Sequence, residues 1–113
     1  MNWEIEDYSE TVQAGINRWP VGIRAYYAKV TERMLVFGPN LGMLFTKSFG
    51  KGLFEIRAIG KEGIGMAFFC VCVGYKIVIL HEFIKKTRKT PSKKIAVARK
   101  RLLKVTHENK KKS

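Results

Sequence analysis

The fold is decided by residues 53–83, LFEIRAIGKEGIGMAFFCVCVGYKIVILHEF, which contain three strand-like runs. In the first run, apolar residues alternate with Glu55 and Arg57, which is the pattern of a strand that buries one face. The other two runs, 64–73 and 76–83, are mostly apolar and rich in β-branched and aromatic residues. A Gly-Tyr pair separates them, so we expect a tight hairpin of two central strands.

Two helices are predicted before these strands. Ser9 is a suitable N-cap for a short helix that ends at Trp19-Pro20, because the residue before a proline avoids helical geometry. From Pro20 to Phe37, apolar residues recur at three- and four-residue steps, which indicates an amphipathic helix. We expect a helical hairpin over one face of the sheet. A short strand is predicted at 3–6, and 40–52 is predicted to be a loop.

A third helix is predicted after the strands. Thr90-Pro91-Ser92 has the cap-then-proline signature of a helix start, and the basic residues that follow lie mostly opposite an apolar sector. Arg99 falls inside that sector, where we expect it to meet a carboxylate. The predicted order is β-α-α-β-β-β-α, an α+β domain over 1–106, and 107–113 is predicted to be a disordered basic tail.

The charge is concentrated in the last quarter of the chain. The 113 residues carry 22 Lys and Arg against 9 Asp and Glu, a formal net charge of +13, and residues 85–113 hold all but +1 of it. This distribution favours a polyanionic partner, with nucleic acid ahead of an anionic membrane. The length allows one compact domain and excludes a dinucleotide-binding dehydrogenase or a TIM barrel. The apolar span 64–80 is interrupted by Gly-Tyr-Lys and falls short of the roughly 20 residues that a membrane helix needs.

The two cysteines, Cys70 and Cys72, stand one residue apart and would share one face of a strand without pairing. Free thiols of this kind are typical of a reducing cytosol, so we expect a cytoplasmic protein. No Cys and His spacing suits zinc, and we expect neither a metal nor another cofactor.

Several ungapped blocks resemble one known family. They are Gly38-Pro39-Asn40-Leu41-Gly42-Met43, Thr46-Lys47, Gly52-Leu53-Phe54-Glu55-Ile56-Arg57, Gly63-Ile64-Gly65 and the stretch from Ile79 to Pro91. In this order and spacing they resemble the HigB-like toxins of the RelE/ParE superfamily, in particular the phage-derived HigB-like subfamily. The resemblance covers residues 3–106 and implies a RelE-like fold: a small antiparallel sheet flanked by an N-terminal helical hairpin and a C-terminal basic helix.

The resemblance also implies a function. Such proteins are toxins of type II toxin-antitoxin systems that arrest growth by cleaving mRNA, typically on the ribosome. A helix-turn-helix antitoxin, here a HigA-like protein, holds them inactive, and operator DNA is reached only through it. We expect an acidic or apolar segment of that antitoxin to cover a basic groove of the toxin.

Metal-free RNA cleavage needs positive charge around the phosphorane and proton transfer at two oxygens. Arg57 is our candidate phosphate clamp, because a guanidinium donates two hydrogen bonds to phosphate oxygens. Lys85 and Lys86 are candidates for charge stabilisation or proton transfer, as either base or acid. His81 is a further catalytic candidate as general acid, although its alternation with apolar strand residues also suits a core histidine. The expected RNA-binding residues are Lys47, Lys51, Arg88, Lys89, Lys93 and Lys94.

Two departures from the family pattern leave alternatives open. Similar toxins usually have arginine at position 66, where this chain has Met66, and commonly Pro-His where this chain has Leu44-Phe45. A weakened or inactive homologue that binds its antitoxin and acts as a co-repressor is therefore the first alternative. A gyrase inhibitor of the ParE branch is the second, and the many basic residues after the last strand favour the ribonuclease branch over it.

Overall fold

The structure, a computed structural model, describes residues 2–42 and 45–112, with side chains described up to residue 108. Leu44, one of the two departures from the family pattern, lies outside the described residues. The elements are β1 (Glu4–Asp7), α1 (Glu10–Asn17), α2 (Val21–Phe37), β2 (Thr46–Gly50), β3 (Leu53–Gly60), β4 (Gly63–Cys72), β5 (Lys76–Lys85) and α3 (Ser92–Lys112).

The strands form one five-stranded sheet in the order β1-β5-β4-β3-β2. All neighbours are antiparallel except β1, which runs parallel to β5 at one edge. The predicted α+β class and the hairpin across the Gly-Tyr turn are confirmed. The prediction of a loop over 40–52 is wrong in its second half, because Thr46–Gly50 pairs with β3 as the other edge strand.

Two apolar cores lie on opposite faces of the sheet. On one face, α1 and α2 pack Val12, Ile23 and Met34 against the sheet residues Phe69 and Ile79, so the predicted helical hairpin covers one face as expected. The indole nitrogen of the buried Trp19 donates to a carboxylate oxygen of Glu82 at 2.7 Å.

The second core lies under α3. Ala98 of this helix is fully buried against a group that includes Phe68, Leu80 and Phe83. Cys70 belongs to this core and Cys72 packs against it, and both are free thiols, as the sequence predicts. Since both faces of the central strands are covered, their nearly continuous apolar sequences are explained.

A β-bulge in β5 changes which face its side chains occupy. Phe68 stands opposite His81 and Phe69 stands opposite Ile79, so Leu80 is one extra residue without a partner on β4. Before the bulge, Ile79 lies in the α1–α2 core, whereas beyond it Phe83 lies in the α3 core. Strict alternation, as the sequence suggests it, would have placed both on the same face.

Two arginines of α3 donate to backbone carbonyls of the sheet. The Arg101 Nη1 donates to the Leu80 carbonyl at 2.7 Å, at the bulge itself. The Arg99 guanidinium donates to the carbonyls of Phe49 and Gly50, at 3.2 and 3.4 Å. The expected carboxylate partner for Arg99 is therefore wrong, because the end of β2 supplies oxygen acceptors instead.

The last helix is also longer than the sequence predicts. The structure describes α3 as helix to Lys112, and disorder of the segment 107–113 remains a prediction. The domain boundary at residue 106 remains a prediction. Within the described ranges, no helix is both long and apolar enough to cross a lipid bilayer.

The contact between Arg101 and the bulge gives a stability prediction. Arg101→Met removes the donor from the buried Leu80 carbonyl, and losing a hydrogen bond to a charged group costs about 1.5–3 kcal/mol. We expect the free energy of unfolding, measured by urea denaturation, to fall by that amount. Lys100→Met, at the exposed neighbouring position of α3, is the control and should change it by less than about 0.5 kcal/mol. Equal losses in the two variants would contradict the assignment.

Candidate functional site

A groove opens on the α3 face of the sheet, toward the β2 edge. Its volume is about 370 Å³, and it receives residues from β2, β3, β4, β5, the segment after β5 and the start of α3. We call it the basic groove. It is lined by Phe45, Thr46, Lys47, Phe49, Glu55, Arg57, Met66, Lys85, Arg88, Lys89, Thr90 and Ile95.

Arg57 is exposed on β3 and points into the basic groove. Alternation along β3 puts its neighbours Ile56 and Ala58 into the α1–α2 core, so its own side chain faces the other way. The Arg57 backbone N–H donates to the Phe45 carbonyl at 3.2 Å, which ties this position to the segment before β2.

Lys85 enters the groove from the last residue of β5. It pairs in register with Ile64, on the face that carries Phe83, and it reaches that face because of the bulge. Arg57 and Lys85 thus come from two strands separated by β4 and line the same groove.

The segment after β5 adds two more predicted cations, Arg88 and Lys89. The Thr87 hydroxyl donates to the Lys89 carbonyl at 2.8 Å and closes a small turn there. Lys47 approaches from β2 on the opposite side and is exposed. Five predicted cations therefore surround one concavity, an arrangement suited to a phosphate chain.

Other predicted residues do not line the groove. Lys51 lies in the turn between β2 and β3, with a positive φ of 55°. Lys86 and Lys93 are exposed outside the groove, and the Lys94 ammonium lies 5.9 Å from the centre of the Phe83 ring. Any contact of these four lysines with RNA would therefore lie outside the groove.

His81 also lies away from the groove, under α3. Its Nδ1 is 3.4 Å from the Arg101 guanidinium, and the bulge turns its ring toward α3 instead of the apolar face shared by Ile77 and Ile79. Burial, followed by the charges of Arg101 and Lys94, lowers the pKa of His81 to about 4. A neutral imidazole outside the groove is a poor proton donor at pH 7, so the structure argues against His81 as general acid.

Glu55 is an ionisable groove residue that was not predicted as a site residue from the sequence. It stands directly opposite Lys47 in the β2–β3 register and two residues before Arg57 on the same strand. Its residue surface is only 6% exposed, and its Oε2 has no hydrogen-bond partner among the residues that the structure describes. Burial raises its pKa above the ordinary value, although Lys47, Lys85 and Arg57 act to lower it.

The sequence contained a signal for Glu55. The alternation of β3 puts Glu55 on the same face as Arg57. Leu53, the first residue of β3, lies on this face too and is buried. A carboxyl between a buried leucine and a functional arginine is a candidate site residue.

Met66 occupies the groove side of β4, directly opposite Arg57. Its side chain is 1% exposed and packs in the α3 core with Phe68 and Phe83. The position at which similar toxins carry an arginine therefore adjoins the groove cations. In this chain it contributes an apolar side chain.

The α+β fold is consistent with a RelE-like domain, and a family comparison agrees. Residues 14–103 match the family model described as Phage derived protein Gp49-like, and the chain belongs to this family, a toxin-like family of the RelE/HigB-like superfamily. Membership in a toxin family implies an antitoxin partner in general terms. No curated protein matches the chain.

The environment of His81 predicts a pH dependence of stability. Because its pKa is about 4 in the folded protein and 6.5 as an ordinary value, the unfolded chain binds more protons between these limits. The His81 contribution to stability is therefore present above pH 6.5 and is lost as the pH falls toward 4.

The His81→Gln variant should lose less stability than the wild type over this interval, when free energies of unfolding are compared at pH 4.5 and 6.5. Above pH 7 the two proteins should have parallel pH dependences, which serves as the internal control. A parallel course across the acidic interval as well would show that His81 is not held in its neutral form by the fold.

Proposed function

We propose that this protein is the toxin of a type II toxin-antitoxin system and a metal-independent mRNA endonuclease that acts on ribosome-bound mRNA. The observation that carries the proposal is the convergence of Arg57, Lys85 and Arg88 on one groove. Membership in a toxin-like family supports it from a second side.

The chemistry follows from the RNA itself. A general base takes the proton of the ribose 2′-hydroxyl as its oxygen attacks the adjacent phosphorus. The bond from phosphorus to the 5′-oxygen breaks, and a 2′,3′-cyclic phosphate and a free 5′-hydroxyl result. Negative charge increases on the equatorial phosphate oxygens as the phosphorane forms. Arg57 clamps these oxygens with paired N–H donors, and Lys85 stabilises the charge and donates a proton to the leaving oxygen.

The remaining basic residues bind RNA by charge. Lys47, Arg88 and Lys89 hold the sugar-phosphate chain on the two sides of the groove. Exposed lysines of α3, such as Lys93 and Lys100, contact ribosomal RNA phosphates without sequence preference. The ribosome supplies the in-line geometry, because holding two reacting groups in place removes much of the entropic barrier.

The partner that restrains this activity is a helix-turn-helix antitoxin of the HigA type. A segment of acidic or apolar character that lies in the basic groove would neutralise Arg57 and Lys85 and exclude RNA. The pair reaches operator DNA through the antitoxin, and the toxin acts in the cytoplasm.

The test of the proposal is Arg57→Ala. Induction of the wild-type chain should arrest growth and produce new mRNA 5′ ends, and the variant should lower the cleavage rate by about 100-fold or more, as removal of a transition-state donor does. Arg18→Ala changes an exposed arginine outside the groove and should leave cleavage unchanged. Undiminished cleavage by Arg57→Ala would remove this residue from the site.

A second candidate function is favoured by Met66. Its apolar side chain adjoins the groove where similar toxins have a cation, so the chain could be an inactive binding module that represses with its antitoxin. In that case, induction is harmless while co-purification with the antitoxin persists.

Met66→Arg distinguishes the two functions. If the protein is inactive because this cation is missing, the variant should gain toxicity, measured as colony formation after induction. Met66→Leu keeps the apolar contacts in the α3 core and is the control, which should behave as the wild type does. No gain in Met66→Arg would show that Met66 is not the cause of inactivity.

A further inference from the structure

The Glu55 carboxyl is buried in the basic groove. Within residues 2–42 and 45–108, its Oε2 meets neither a backbone nor a side-chain donor, although the side chain lines the groove with Arg57 and Lys85. Buried polar atoms in folded proteins are nearly always paired, because leaving one unpaired costs stability. Because the Glu55 side chain also lines the groove, a ligand bound there is positioned to donate to this carboxyl.

The charged groups around Glu55 lie on three elements. Lys47 faces it from β2, Arg57 follows it on β3, and Lys85 approaches from β5, and all three favour its ionised form. From β4 and α3 the groove receives Met66 and Ile95, which carry no charge. Among the described side chains, none of these cations forms an ion pair with the carboxylate.

Met66 accounts in part for the lack of an ion pair at Glu55 among the described side chains. Position 66 is opposite Arg57 and diagonal to Glu55 across the β3–β4 pair, so an arginine there would lie within reach of the carboxylate. With methionine at this position, β4 provides no cation to Glu55. The carboxyl remains available to a substrate group.

We propose that Glu55 is a catalytic residue, the general base that removes the proton from the attacking ribose 2′-hydroxyl. This inference rests on the proposed RNA cleavage. The 2′-hydroxyl donates to a carboxylate oxygen of Glu55 and passes its proton to it as the 2′-oxygen forms its bond to phosphorus. The bond from phosphorus to the 5′-oxygen then breaks, and Lys85 gives a proton to that oxygen, so that charge and protons balance.

A glutamate suits this step better than a lysine does. A lysine must first lose its proton to act as a base, whereas a carboxylate is already deprotonated above its pKa. Burial raises the pKa of Glu55 and so makes its ionised form more basic. The same groove thus holds a base, Glu55, and a proton donor, Lys85. Their different environments suit them to these opposite roles in proton transfer.

The experiment compares wild type, Glu55→Gln and Glu55→Ala in cleavage of ribosome-bound mRNA as a function of pH. In the wild type, kcat/KM should rise with pH along an acidic limb that reports the ionisation of Glu55. Glu55→Gln should lower kcat/KM by about 100-fold or more and abolish that limb, since general base catalysis contributes about 100- to 10,000-fold. Formate added to Glu55→Ala should restore part of the rate, because it can occupy the space of the lost carboxyl.

The control is Glu32→Gln, an exposed position of α2, which should retain both the rate and the limb. Glu55→Gln removes a buried charge and keeps the side-chain size, so its thermal unfolding midpoint should not fall. Glu55→Asp keeps a carboxyl at a greater distance and should retain the limb at a lower rate.

The inference and the proposed function fail in different ways. If Glu55→Gln keeps the wild-type rate while Arg57→Ala loses it, the endonuclease stands and Glu55 is not its base. If Glu55→Gln is slow but keeps the acidic limb, the residue positions RNA only, and the inference is again overturned. If the wild type cleaves no RNA, the proposed function falls and this inference falls with it.

Discussion

The basic groove depends on the bulge in β5. Without the extra residue Leu80, strict alternation would place Lys85 on the face packed by α1 and α2, away from Arg57. The bulge reverses that alternation once. Apolar residues of β5 therefore pack in both cores, and the last residue of the strand, Lys85, reaches the groove. Glu82 then falls on the opposite face, where Trp19 pairs with it. One irregularity in the ladder therefore fixes both a catalytic candidate and a buried polar contact.

α3 holds the two sides of the groove together. Its apolar side covers β4 and β5 around the fully buried Ala98, while Arg101 binds the carbonyl at the bulge and Arg99 binds the carbonyls at the end of β2. The basic charge of this helix thus has two roles. Part of it satisfies backbone oxygens of the sheet, and the exposed lysines remain free to face an external polyanion.

Much of this architecture could be predicted from local patterns. The alternation in β3 predicted that Arg57 faces away from the α1–α2 core, and the Gly-Tyr turn predicted the hairpin, because both signals involve residues close in sequence. β2 was missed because Thr46–Gly50 is short and polar at an edge and gains its strand conformation only from pairing with β3. His81 was misplaced because no local pattern encodes the bulge. The carbonyl partners of Arg99 could not be predicted, because Phe49 and Gly50 lie about 50 residues away in the sequence.

The site residue Glu55 illustrates a different limit. Its position on the face of Arg57 follows from alternation, but its lack of a partner depends on how β2, β5 and α3 close around it. Sequence periodicity predicts which face a side chain occupies, whereas the pairing of its polar atoms depends on residues distant in sequence. A carboxyl and several cations in one groove are therefore recognisable as a unit only in three dimensions.

The parallel pairing of β1 with β5 has a consequence for how the protein is made. The first strand of the chain can bind its neighbour only after Lys76 and Ile79 have been synthesised, and the groove also needs Arg88 and Ile95. Contacts between such distant residues form late, since a long loop must close before they can be made. The groove therefore cannot assemble before the segment that carries Arg88 and Ile95 has been synthesised, which makes it a late feature of the fold.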